Sequence, residues 1–77
     1  MTLIEKTVFI NSHSKELIVE IIICKYKFGY VILREKNASI TGVIKITLID
    51  AIEHYKTEVK ETKFALQKME VIYEIRN

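Results

Sequence analysis

The sequence has no proline, no tryptophan, two glycines and one cysteine, and each scarcity removes a class of structure. A single cysteine, Cys24, cannot close an intramolecular disulfide, so the fold stands on packing alone. That usage points to a reducing, cytoplasmic compartment. No Pro-, Gly- or Ser-rich stretch, repeat or low-complexity segment interrupts the chain, and residues 1–77 are expected to form one domain. The apolar run Ile21–Cys24 is far too short for a bilayer, and no basic segment followed by a long apolar stretch opens the chain. Neither a signal peptide nor a membrane partner is therefore expected. Charge of one sign is missing as well. The net +2 is spread over interspersed Lys and Glu, less basic than a dedicated nucleic-acid binder.

What is abundant is aliphatic β-branched sequence. At 49% hydrophobic and 29% charged, the composition belongs to a globular domain. Heavy use of Ile, Lys and Glu suits an AT-rich genome, of the kind that phages and mobile elements carry. Leu17–Leu33 (LIVEIIICKYKFGYVIL) is apolar on both faces when read as strand. A chain of 77 residues has little material to cover both faces, which argues for a second copy or another protein as partner.

Along the chain, Thr2–Ile10 reads as a strand, with Ile4, Val8 and Ile10 on one parity and Glu5 and Thr7 on the other. Asn11–Lys15 is a polar hairpin loop, and Glu16–Tyr26 returns as the second strand. A three-residue loop, Lys27-Phe28-Gly29, with the glycine in the left-handed region, would set Tyr26 opposite Tyr30, Cys24 opposite Ile32 and Glu20 opposite Lys36. A two-residue loop at Phe28-Gly29 ranks second. In the preferred register Val19, Ile21, Ile23, Val31 and Leu33 form a purely aliphatic face, while Ile18, Ile22, Cys24, Tyr26, Tyr30 and Ile32 form the other.

Glu35–Ser39 reads as a turn. Ile40–Leu48 fits either a strand or, through Ile44, Leu48, Ile52, Tyr55 and Val59, the start of a helical stripe, and a strand over Val43–Thr47 is the preferred reading. A helix from about Leu48 to the Lys63 region follows, with overlapping capping boxes at Thr47/Asp50 and Asp50/Glu53. Met69, Val71, Tyr73 and Ile75 alternate with polar residues as a final strand. The expected fold is α+β: a small antiparallel sheet of four or five strands with one main helix on one face, in the order β-β-β-β-α-β. Ile52, Tyr55 and Val59 would dock on the aliphatic face, leaving the tyrosine-bearing face partly open.

Candidate chemistry is thin. Cys24, His13 and His54 show no metal-ligand spacing, and Cys24 in an Ile-rich strand reads as a small core hydrophobe. Ser12-His13-Ser14 reads as a polar loop. Asp50, His54 and Glu58 form i,i+4 pairs that support a helix without catalytic purpose. No catalytic, cofactor or metal site is expected. The most specific string is Lys25–Leu33 (KYKFGYVIL), whose Phe28-Gly29-Tyr30-Val31 core resembles the ribonucleoprotein motif of RNA-recognition motifs. Val8-Phe9-Ile10-Asn11 resembles that family's other aromatic strand. The glycine between Lys and Phe is absent, the last aromatic position is Leu33, and the interval between the strings is too short for that family's helix and strand. A hairpin turn accounts better for Gly29.

The expectation is a small non-enzymatic protein-interaction module, such as a phage-type or mobile-element inhibitor of a host protein. Its partner-binding residues would be Lys25, Tyr26, Lys27, Phe28 and Tyr30, on an apolar, tyrosine-bearing sheet face or beside the exposed edge of the last strand. Homodimerisation is the simplest way to bury such a face. The alternative is a small nucleic-acid-binding regulator that uses the same basic and aromatic hairpin.

Overall fold

A computed structural model describes residues 1–68 with their side chains and the backbone of residues 72–76. The order is β1 (Thr2–Asn11), β2 (Leu17–Tyr26), β3 (Gly29–Lys36), β4 (Ser39–Lys45), α1 (Leu48–Leu66) and β5 (Ile72–Arg76). The fold is α+β, with a five-stranded antiparallel sheet in the order β4-β3-β2-β1-β5. Strands β1 to β4 run as a meander, and β5 returns after the helix to pair with β1. Met69 and Val71, expected in the last strand, lie outside the described residues.

Local chemistry explains the turns. Asn11 Oδ1 accepts hydrogen bonds from the backbone N–H groups of His13 (2.9 Å) and Ser14 (3.1 Å), and Lys15 takes the left-handed φ of 65° that closes the loop. The serines and histidine of this loop are thus accounted for as turn residues. The β3–β4 turn is shorter than its polar composition suggests. Only Asn37 and Ala38 form it, both at positive φ (52° and 62°), as a two-residue turn of the primed type demands. Strand β4 accordingly starts at Ser39, four residues before the expected Val43.

The β2–β3 hairpin corrects the expected register. Tyr26 pairs with Gly29, Ile23 with Ile32 and Glu20 with Glu35, so the loop is Lys27-Phe28. Lys27, not the glycine, holds the left-handed φ, at 47°. Gly29 answers a different demand. A Cβ there would sit 2.8 Å from the Lys45 carbonyl oxygen, so β4 can approach only because the side chain is missing.

A register shift of one residue exchanges the faces of a strand. Tyr30 and Ile32 therefore join Val19, Ile21 and Ile23 on the helix side, and Val31 and Leu33 join Ile22, Cys24 and Tyr26 on the opposite side. On β1 the parity of Thr7 and Phe9 faces the helix, and a bulge takes Ile4 out of the ladder.

Thr47 caps α1 by accepting the Asp50 N–H at 3.3 Å. Ala51, Tyr55, Val59, Thr62 and Leu66 recur at helical spacing and form its buried stripe. They close over Phe9, Val19, Ile21, Ile23 and Ile32. Each of those five sheet side chains contributes about 1.5–3 kcal/mol by burial. Tyr55 and Thr7, both buried, share a hydroxyl–hydroxyl hydrogen bond that links helix to sheet across this core. Among the described residues no helix is long and apolar enough to cross a membrane.

Two predictions follow from the turns. Gly29→Ala forces β4 away from β3 and should lower the unfolding free energy by about 1–3 kcal/mol in urea titration. Ala38→Gly relieves a left-handed alanine and should raise it by roughly 1 kcal/mol in the same assay.

Candidate functional site

The five residues singled out in the sequence do converge on the β2–β3 hairpin, but not on one face. Tyr26 projects from the helix-free side, while Tyr30, directly beside Lys25 in the ladder, packs partly against the core under α1. The lysines each lie over a tyrosine ring. Lys25 Nζ is 4.6 Å from the Tyr30 centroid, and Lys27 Nζ is 5.4 Å from that of Tyr26. Such contacts contribute about 0.5–1 kcal/mol at exposed positions, and each places a lysine over one face of its ring. Phe28 sits alone at the turn, 96% exposed.

A stacking platform for bases needs aromatics side by side on an open strand surface. Here Tyr26 and Tyr30 are divided between two faces, and Phe9 of the second resembling string is fully buried in the core. The hairpin therefore lacks the geometry that its resemblance to the ribonucleoprotein motif implies.

Sequence reasoning missed the extent of the helix-free face. With α1 lying over β2, β3 and β4 on one side, the other side carries Leu3, Ile22, Val31, Leu33, Ile40 and Ile44 with no element of the described chain above it. Ile40 and Ile44 are 62% and 65% exposed, and Leu3 is 51% exposed. Cys24 lies in the middle of this face, yet its neighbours leave it buried. The signal was available in the aliphatic parity of Val31 and Leu33, but the three-residue loop assigned those residues to the core.

Three charged groups interrupt this apolar surface. Glu20 and Glu35 face each other directly across β2 and β3, and Lys6 stands on β1 beside Ile22. All three are half-buried, and none has an ion-pair partner among the described residues.

On the other side of the sheet, Glu58 joins two groups. Its carboxylate lies 3.1 Å from His54 Nε2 and 3.9 Å from Arg34 Nε. This links the helix to β3 at a partly exposed position, where ion pairs contribute at most about 1 kcal/mol. Among the described residues no group of three His, Cys, Asp or Glu side chains is arranged to hold a metal ion.

No protein-family model, curated protein or solved structure matches the chain. Because the Phe28 ring is almost fully exposed, Phe28→Ala should leave the unfolding free energy unchanged to within about 0.5 kcal/mol. Chemical denaturation followed by circular dichroism checks this, and a larger loss would mean that the ring supports the hairpin.

Proposed function

We propose that this protein is a non-catalytic interaction module that buries the helix-free sheet face against another polypeptide. It acts by occupancy, as an inhibitor does, and not by chemistry. The observation that carries the reading is the apolar surface on β1 to β4, interrupted only by Lys6, Glu20 and Glu35, with Leu3, Ile40 and Ile44 half exposed or more. Exposed apolar patches rimmed by polar residues mark interaction sites. Covering it removes apolar area from water, worth about 25 cal/mol per Å².

The contact residues on this reading shift from the hairpin tip to the sheet. Tyr26 remains at the margin of the surface, whereas Tyr30 belongs to the core and Phe28 stands outside both.

Ile44→Glu and Leu3→Glu place charge on the face at positions that the fold leaves exposed, and Ile49→Glu on the outer side of α1 serves as control. Light scattering on the purified chain and affinity capture from the native host should show an association that the first two substitutions remove and the third leaves intact. A monodisperse monomer that captures nothing overturns the reading. So does binding of single-stranded nucleic acid that survives Ile44→Glu, falls with log salt at a slope of about −0.7 per phosphate contact, and is lost in Phe28→Ala.

A further inference from the structure

We infer that two copies of this chain join edge to edge, β4 against β4, about a two-fold axis at Gly42 that makes one continuous sheet of the two. The inference concerns the edge of the sheet and does not depend on what covers its helix-free face.

Strand β4 is an outer strand, so half of its backbone groups face away from β3. Two contacts fix which half. The Lys45 carbonyl oxygen lies 2.8 Å from where a Cβ on Gly29 would stand, and the Ile32 carbonyl oxygen lies 3.8 Å from where one on Gly42 would stand. Both oxygens therefore point into the space between β3 and β4. The two-residue turn at Asn37-Ala38 gives the same phase, because Lys36 and Ser39 close it as a hydrogen-bonded pair. Alternation then turns Ser39, Thr41, Val43 and Lys45 toward β3. It leaves the N–H and C=O groups of Ile40, Gly42 and Ile44 pointing outward. Among the described residues no hydrogen bond reaches those three from that side.

Exposed edges are ordinarily blunted by a proline, a bulge or a charge in mid-strand. From Ser39 to Ile44 this strand has none of them. Its register on β3 is unbroken, its first charge is Lys45, and Ile40 and Ile44 are both more than half exposed.

The outward row is self-complementary. A two-fold axis normal to the sheet at Gly42 sets β4 antiparallel to its copy, with Gly42 opposite Gly42 and Ile40 opposite Ile44. These are the residues whose backbone groups face outward, so each facing pair exchanges two hydrogen bonds. On the helix-free side the Ile40–Ile44 pair occurs twice, at the Cα spacing of about 5.5 Å that bonded pairs keep. Between the two pairs, Leu33 fills the space that Gly42 leaves, its Cδ2 being 2.9 Å from where a Cβ would stand. A leucine from each copy thus flanks the axis. On the helix side Thr41 faces Val43, and Ser39 faces Lys45 at the ends, so no like charges are opposed. A neighbour's β5 in place of β4 would give a head-to-tail contact that repeats without closing.

The helices leave room for this contact. α1 packs chiefly on β2 and β3. At about 4.8 Å per strand its axis stands roughly 10 Å from the two-fold, and the two helices run about 20 Å apart, beyond the 8–10 Å of helices in contact.

Amide hydrogen exchange on the full chain, followed by NMR at about 5 and about 500 μM beside sedimentation equilibrium, tests the inference. The chain should sediment as a dimer at the higher concentration. There the amides of Ile40, Gly42 and Ile44 should exchange about fivefold or more slowly than on dilution, while Thr41 and Val43, already bonded to β3, change little. Ile40→Pro removes an outward N–H and no bond to β3, and should give a monomer with an unchanged far-UV circular dichroism spectrum. Leu3→Glu, on the far side of the sheet from this edge, should leave the dimer intact, since any association through the face adds to it. A monomer at about 500 μM overturns the inference. So does a dimer in which the three outward amides exchange equally fast at both concentrations, a result on the wild-type chain that holds even if Ile40→Pro does not fold. A monomer that binds another protein in a Leu3-dependent manner excludes the edge dimer and leaves the face reading standing. A dimer protected at β4 that captures nothing and is indifferent to Leu3→Glu supports the edge and removes the face reading.

Discussion

The two-residue turn at Lys27-Phe28 fixes the rest of the molecule, because it sets the register of β3 on β2. Pairing Tyr26 with Gly29 puts Ile32 beside Ile23 under the helix and sends Val31 and Leu33 to the other side. Gly29 then lies where the Lys45 carbonyl of β4 comes close, which ties the third hairpin to the second. One residue more in the loop would have reversed every side chain of β3. The core under α1 would have lost Ile32, and the face opposite would have lost its two central aliphatics.

Coverage is the second constraint. One helix of 19 residues lies over β2, β3 and β4 on one side of the sheet, and no element of the described chain covers the other. On the shielded side, apolar burial and the Thr7–Tyr55 hydrogen bond make a complete core. On the open side, β-branched and aliphatic residues stay at the surface along with a carboxylate pair. The same register that fills the core produces that pair, since Glu20 meets Glu35 where the longer loop would have given it Lys36.

Much of the fold was legible in the residues. The β-branched run of β1, the polar loop at Asn11–Lys15, the Thr47 cap and the Tyr55/Val59 stripe each carry a local signal strong enough to read, although the parity of β1 that enters the core is Thr7 and Phe9 and not Ile4, Val8 and Ile10. Turn conformations were the hard part. Lys27 and Ala38 adopt left-handed φ without the glycine that usually announces it, while Gly29 is present for proximity to another strand and has no positive φ. Two turns were therefore expected too long. The candidate site inherited that error: five residues close in sequence were expected on one surface, and the ladder divides their tyrosines between two.

The sequence by itself determined the class of object: an α+β fold without an intramolecular disulfide, four hairpin-linked strands, a capped amphipathic helix, and strand sequence that is apolar on both faces. Local propensity and side-chain periodicity suffice for that, because they act within a few residues. Only the tertiary structure decided which apolar residues were left over. That choice depends on the β2–β3 register, which a left-handed Lys27 sets without a glycine to announce it, and on the close approach of β4 to Gly29, a contact between residues 16 positions apart that no local pattern encodes.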